Sequence, residues 1–250
     1  SGMPEAPDHF ARCSEINRRG PAVFSELPSP RRLSPQDVEE LLDDAHTILD
    51  VRDYAAFGGA HIPSAWNIDA KHNFSTFAGW LLPQDKPIIL LPVSDDQVPA
   101  LTVMLRRVGL DNVVGYLDGG MGPWIVGGKP IERIPTITIR EVQNSCNSGD
   151  GKMLVLDVRA QNEWKESHIE GTLHIPLPDT RTRFQELDPE VTTVLVCKSG
   201  ARACTAGSIL QRQGHKNLMV MAGGMVGWTA AGLTRKCATC ALPHGPRTEY

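Results

Sequence analysis

The segment Val194-Leu195-Val196-Cys197-Lys198-Ser199-Gly200-Ala201-Arg202 carries the clearest chemistry in the chain. An apolar run of strand length ends at a cysteine, and a helical pattern begins directly after the short loop that follows. A cysteine placed there leaves the carboxyl end of a buried strand and faces the amino end of a helix. The N–H groups of Lys198, Ser199, Gly200, Ala201 and Arg202 can converge as an anion-binding nest, and the helix dipole adds to them. Lys198 and Arg202 bring formal positive charge. Each of these features favours thiolate over thiol, so Cys197 is the candidate nucleophile and the five residues after it form the candidate substrate-binding loop. The same cysteine also admits the plainer reading of a thiol buried in the core, the commonest fate of an unpaired cysteine.

The elements that position this loop follow from periodicity. Short apolar runs at 47–51, 87–93, 112–117, 153–158, 192–196 and 217–221 have strand length. Helical patterns at 97–108 and 201–213 each stop before a glycine, Gly109 and Gly214, as a C′ residue would. Ser34-Pro35-Gln36-Asp37 gives an N-cap serine, a proline at N1 and an acid in the first turn. Strands that alternate with helices imply a mostly parallel sheet covered on both faces, with ligands bound beyond the strand carboxyl ends.

The chain also repeats itself. Leu49-Asp50-Val51-Arg52 recurs as Leu156-Asp157-Val158-Arg159, and His61-Ile62 as His168-Ile169. Gly119-Gly120-Met121 with Trp124 recurs as Gly223-Gly224-Met225 with Trp228. Several matches in one order at a nearly constant offset imply two tandem copies of one fold. The expected division is a leader or linker over 1–32, a first repeat over 33–133, a second over 134–236 and a tail over 237–250. The expected fold class is α/β, with each repeat a small, mostly parallel sheet flanked by helices.

Aligning the repeats through Gly109 and Gly214 sets Pro92 opposite Cys197 and Gln97 opposite Arg202. The first loop, Pro92 to Gln97, has no nucleophile and no cation, and Asp95 and Asp96 would repel an anion. The first repeat is therefore expected to be catalytically inactive. The Asp-Val-Arg motif and His61 persist there, so their counterparts Asp157, Arg159 and His168 are expected to do structural work. Asp157 and Arg159 would pair, with Arg159 supporting the potential around Cys197. The Gly-Gly turn and the two tryptophans read as turn and core, and Cys204 as packed inside.

Among 250 residues, 41% are apolar and 22% charged, a globular composition. Lys and Arg number 25 against 29 Asp and Glu, which gives no electrostatic reason to expect nucleic acid or an anionic membrane as partner. No apolar run approaches membrane-spanning length and no secretory pattern is visible, so a cytoplasmic location is expected. Six cysteines are too few and too irregular for a disulfide scaffold. Cys237 and Cys240, with His244 beyond, offer at most three ligands where a structural zinc site wants four, and a redox CxxC normally opens a helix. These residues read as tail, as a redox or resolving pair, or as metal ligands, with the first favoured.

Taken together, Asp157-Val158-Arg159, Glu163-Trp164, His168-Ile169-Glu170-Gly171 with Ile175-Pro176, Cys197 to Arg202, and Gly223-Gly224-Met225 with Trp228 resemble the tandem rhodanese (sulfurtransferase) family over about residues 33–235. The resemblance implies that Cys197 takes a sulfane sulfur as a persulfide and passes it to a nucleophile. It implies small sulfur compounds as partners: thiosulfate, sulfite, and glutathione or its persulfide, with cyanide as a further acceptor. It implies no cofactor and no metal. A module that carries the sulfur between proteins without turnover is the alternative. Cysteine phosphatases of the same fold place their arginine one residue further on, so the six-residue loop from Cys197 to Arg202 makes phosphatase the lesser reading. The leader through Arg18-Arg19-Gly20-Pro21 resembles the connector in persulfide dioxygenase–rhodanese fusions, which implies a metallo-β-lactamase-fold persulfide dioxygenase domain as a further partner. The sequence itself has no HxHxDH-type metal cluster.

Overall fold

The structure is a computed structural model that describes residues 9–20, 29–42, 45–71, 73–148 and 153–233. The first repeat runs through α1 (His9–Arg19), β1 (Arg31–Leu33), α2 (Pro35–Glu40), β2 (Thr47–Asp50), α3 (Tyr54–Gly59), β3 (Trp66–Asn67), α4 (Phe74–Leu81), β4 (Ile88–Leu91), α5 (Val98–Arg106), β5 (Val113–Leu117) and α6 (Met121–Val126). The second runs through β6 (Thr136–Ile137), α7 (Ile139–Ser148), β7 (Met153–Asp157), α8 (Gln161–Glu166), β8 (Leu173–His174), α9 (Thr180–Arg183), β9 (Thr192–Val196), α10 (Ala201–Arg212), β10 (Leu218–Met221) and α11 (Gly224–Ala230).

Each repeat builds one five-stranded sheet, all parallel, with strand order β1-β5-β4-β2-β3 in the first and β6-β10-β9-β7-β8 in the second. The two orders are the same topology. The middle strands explain the apolar runs. All four residues of β4 are buried, and so are the last four of β9, because a central parallel strand is covered on both faces. Cys197 follows the central strand of its sheet directly.

Local chemistry is duplicated as well. Ser34 and Asp37 form a reciprocal capping box at α2, and Thr138 and Glu141 make the same exchange at α7. At the far end of α5 the N–H groups of Gly109 and Leu110 return to Arg106 and Leu105, and at the end of α10 those of Gly214 and His215 return to Gln211 and Leu210. Both glycines have the positive φ that this ending requires, +76° and +92°.

The chain divides into two units that depart from the repeat boundaries at one place. Residues up to Asp53 and from Ala65 to Ile131 form the first, while Tyr54–Ser64 join Glu132 onward in the second. That transferred segment lies against α10. His61 Nε2 is 3.0 Å from Gln211 Oε1, Arg212 donates to the Ser64 carbonyl, and a Cβ on Gly58 would stand 2.5 Å from the Ile134 carbonyl oxygen. With β9 on its other side, α10 is buried almost throughout, from Ala203 to Leu210. Small residues make this possible: a Cβ at Gly207 would meet Ile134 at 2.8 Å and Leu195 at 3.1 Å. The hydroxyls of Thr205 and Ser208 donate to carbonyls of their own helix, which satisfies them inside the core.

The leader differs from its expected lack of pattern. His9–Arg19 is helical, and the first strand begins at Arg31. The helix carries few apolar residues, which hid its period, and it docks through specific contacts. Arg12 donates to the Gly109 carbonyl and to Gln84, and Ile16 lies beside the α carbon of Gly109.

Candidate active site

Cys197 is 1% exposed at the end of β9, and the N–H of Gly200 donates to its Sγ at 3.1 Å. The loop is shaped by where its carbonyls go. Those of Cys197 and Lys198 accept from the N–H groups of Met225 and Val226 at 2.9 and 3.0 Å, and that of Gly200 accepts from Cys204 at 2.9 Å within α10. Three acceptors are thus engaged elsewhere, which leaves the sulfur facing the Gly200 amide. Gly200 has φ +120°, a conformation open only to glycine, and a Cβ there would lie 2.9 Å from the ring of Tyr54. The ring therefore packs directly on the residue whose amide reaches the sulfur.

The Gly-Gly turn does more than reverse the chain. A Cβ on Gly224 would stand 2.4 Å from the Cys197 carbonyl oxygen and 2.7 Å from the Lys198 carbonyl. Only a residue without a side chain lets the start of α11 come close enough to bind both carbonyls. The corresponding Cβ on Gly120 would meet the Pro92 carbonyl oxygen at 3.5 Å, an ordinary contact. The same pair of positions meets in both repeats, and only in the second is it tight.

The charged residues are sorted by their partners. Lys198 and Ser199 are exposed at the tip of the loop. Arg202, expected as a substrate-binding cation, has a protein partner instead. Its Nη1 and Nη2 donate to Oε2 and Oε1 of Glu163 at 2.5 and 2.7 Å. This two-point bond holds the Glu163 carboxyl below the usual carboxylate range and raises the Arg202 guanidinium above its own, with the charge of Cys197 adding to the latter. Glu163 Oε2 also accepts from the Ala160 N–H at 3.2 Å, and the neighbouring Trp164 stacks on His168 at 4.0 Å and on His174 at 5.0 Å.

Asp157 and Arg159 form a buried pair, with Nε 3.0 Å from both carboxylate oxygens and Nη2 2.6 Å from Oδ2. Arg159 also donates to the Ser167 carbonyl at 2.6 Å. Asp50 and Arg52 repeat the pairing, with Nε 2.9 Å from Oδ1 and Nη2 2.5 Å from Oδ2. His168 Nδ1 donates to the Trp164 carbonyl at 2.8 Å, as His61 does to that of Phe57, and each imidazole stacks on the aromatic ring four residues before it. The same contacts thus recur in both repeats. His174 donates from Nε2 to the Arg159 carbonyl at 2.8 Å, and burial pushes its imidazole below the usual histidine range.

In the first repeat the loop has other occupations. Asp95–Gln97 form a single 3-10 turn, Ser94 donates to Asp96, and the Val93 N–H donates to Gln97 Oε1 at 3.2 Å. Cys204 is fully buried, with its sulfur 3.8 Å from the Tyr54 carbonyl oxygen. Cys237, Cys240 and His244 lie outside the described residues. Among the described residues no cluster of three His, Cys, Asp or Glu could hold a metal ion, and no helix is long and apolar enough to cross a membrane.

Residues 34–126 and 138–231 each match the family model of the rhodanese-like domain. The chain belongs to the rhodanese-like family. Its second rhodanese-like domain carries Cys197, and its first has Pro92 at that position. Among curated relatives, the protein named "Putative sulfur carrier protein YrkF" of Bacillus subtilis is 33% identical over 38% of this chain and 51% of its own length. The chain thus spans about half of that relative. A protein named sulfurtransferase from Allochromatium vinosum is 30% identical over 32% of this chain and 76% of its own length. A solved thiosulfate sulfurtransferase from Pseudomonas aeruginosa is 23% identical, covering 84% of this chain and 45% of that one at a TM-score of 0.36.

Glu163 was part of the sequence signature, but its role was not visible from the second repeat alone, because its partner lies 39 residues away. A signal existed in the comparison of repeats. At the offset that aligns His61 with His168, Ala56 stands where the second repeat has Glu163.

Proposed function

We propose that the second rhodanese-like domain is a sulfurtransferase that moves a sulfane sulfur from thiosulfate or a glutathione-type persulfide to a thiol, sulfite or cyanide through a persulfide on Cys197. The observation that carries this reading is the Gly200 amide donating to Cys197 Sγ in a loop whose carbonyls bond elsewhere. Such a site suits a sulfur that bears negative charge.

In the first half-reaction the Cys197 thiolate attacks the outer sulfur of the donor. A bond forms between the two sulfurs, and the bond from the outer sulfur to the rest of the donor breaks. Sulfite or the donor thiolate leaves with the electron pair. In the second, the acceptor attacks the terminal sulfur of the Cys197 persulfide and the electron pair returns to Sγ. The enzyme ends unchanged, with no external oxidant or reductant. Exposed Lys198 meets the substrate's anionic end.

Steady-state assays with thiosulfate and a small acceptor test the reading. It expects saturable ping-pong kinetics that disappear in Cys197→Ala. The carrier reading has one observation on its side, the likeness to the protein named "Putative sulfur carrier protein YrkF". A carrier would take up one sulfur and then stall until a partner protein was added.

A further inference from the structure

We infer that Glu163 sets donor specificity by neutralising Arg202, so that the Cys197 site selects uncharged or singly charged persulfides over dianionic thiosulfate. This rests on the sulfurtransferase reading above and assigns it a substrate class.

Two observations carry it. The first is geometric. Glu163 engages both Nη atoms of Arg202, and both side chains are largely withdrawn from water, at 22% and 28% exposure. The second charged pair near the loop, Asp157 with Arg159, is also internally balanced. The four formal charges cancel, and an incoming donor meets amide dipoles and exposed Lys198 rather than a free guanidinium. The second observation is the internal comparison. Features that serve the fold recur in both repeats, as the aspartate–arginine pairs and the stacked histidines do. The Glu163–Arg202 pair does not recur. The first repeat has Ala56 and Gln97 in its place, and it lacks the nucleophile as well. Both members vanish together with the cysteine, so the pair belongs to the sulfur chemistry and not to the scaffold.

The step with the favoured donor is balanced in the same way as any sulfane transfer. The Cys197 thiolate attacks the terminal sulfur of a protonated persulfide RSSH, the RS–S bond breaks, and RS⁻ leaves with the electron pair. That leaving thiolate carries one charge where sulfite carries two.

The test compares rates of sulfur uptake by Cys197, followed by intact mass, from thiosulfate and from 2-hydroxyethyl persulfide. In Glu163→Gln the freed guanidinium should raise the thiosulfate-to-persulfide rate ratio by at least about tenfold, and the gain should fade with added salt. Glu163→Asp, which keeps the charge, should retain the wild-type ratio. The double variant Glu163→Gln/Arg202→Gln removes both charges, as Ala56 and Gln97 do at the aligned positions of the first repeat, and its ratio should stay within about threefold of wild type because the charges it removes already cancel. An unchanged ratio in Glu163→Gln, or a selective loss of thiosulfate uptake in the double variant, overturns the inference. Uptake from neither donor by the wild-type protein would instead overturn the sulfurtransferase reading.

Discussion

A methyl group on Gly224 would stand 2.4 Å from the carbonyl oxygen of Cys197, so the turn after β10 and the Cys197 loop are in backbone contact. That contact commits the loop carbonyls to the amides of α11 and leaves the sulfur facing an N–H. Gly224→Ala should therefore push the loop away from α11. We expect a stability loss of about 1–3 kcal/mol in urea titrations, with sulfur uptake by Cys197 falling at least about tenfold. Normal uptake in a folded Gly224→Ala protein would show that the brace does not shape the site.

Gly200 is constrained from both sides, by its φ of +120° and by the Tyr54 ring. Gly200→Ala must move either the loop or the ring, and the amide bonded to Sγ moves with it. Uptake should drop sharply in this variant, whereas Gly214→Ala, at a helix end with nothing within 4 Å of its Cβ, should cost stability alone. Equal losses of activity at the two glycines would contradict this.

The aspartate–arginine pairs make a matched prediction. Asp157→Asn leaves the buried Arg159 guanidinium, and Asp50→Asn the partly exposed Arg52 guanidinium, without its counter-charge, a loss of about 3–5 kcal/mol. Since the pairing geometry is shared, the two losses should be of similar size, measured by denaturation. A loss at Asp157 with none at Asp50 would mean that the motif serves the second repeat's chemistry and not the common fold.

Acid should weaken the fold in two steps. Burial holds His174 and His215 below the usual histidine value of 6.5. As pH falls below about 6.5, the unfolded chain takes up protons that the folded one refuses, and stability declines. The depressed carboxyl of Glu163 contributes stability above the ordinary carboxylate range, and this is lost at lower pH, as the folded group protonates. Urea midpoints should fall between roughly pH 7.5 and 5.5, and His174→Gln/His215→Gln should flatten that slope. A slope unchanged in the double variant would assign it to other groups.

How much of this was legible in the sequence depended on the physical origin of each feature. The central strands β4 and β9 were legible because a strand covered on both faces must be apolar throughout. The ends of α5 and α10 were legible because only glycine takes the backbone conformation at Gly109 and Gly214 without strain. The assignment of Tyr54–Ser64 to the second unit was not, since repeat alignment reports matching positions and not contacts. The role of Gly224 is not legible beyond a turn, because a close approach between distant backbones leaves no trace beyond the glycine itself. The partner of Arg202 is not legible from periodicity, because ion pairing across 39 residues has none, although Ala56 opposite Glu163 and Gln97 opposite Arg202 together mark it.

The central claim is that Cys197 alone carries the sulfur. Intact-mass measurement after incubation with thiosulfate or glutathione persulfide tests it most directly, in the wild type, in Cys197→Ala and in Pro92→Cys/Cys197→Ala. A gain of one sulfur is expected in the wild type, reversed by sulfite, and none in either variant; the cysteine introduced by Pro92→Cys stays inactive because the first loop lacks the close approach that Gly224 makes in the second. Stable uptake by Cys197→Ala, or none by the wild type from either donor, would contradict it.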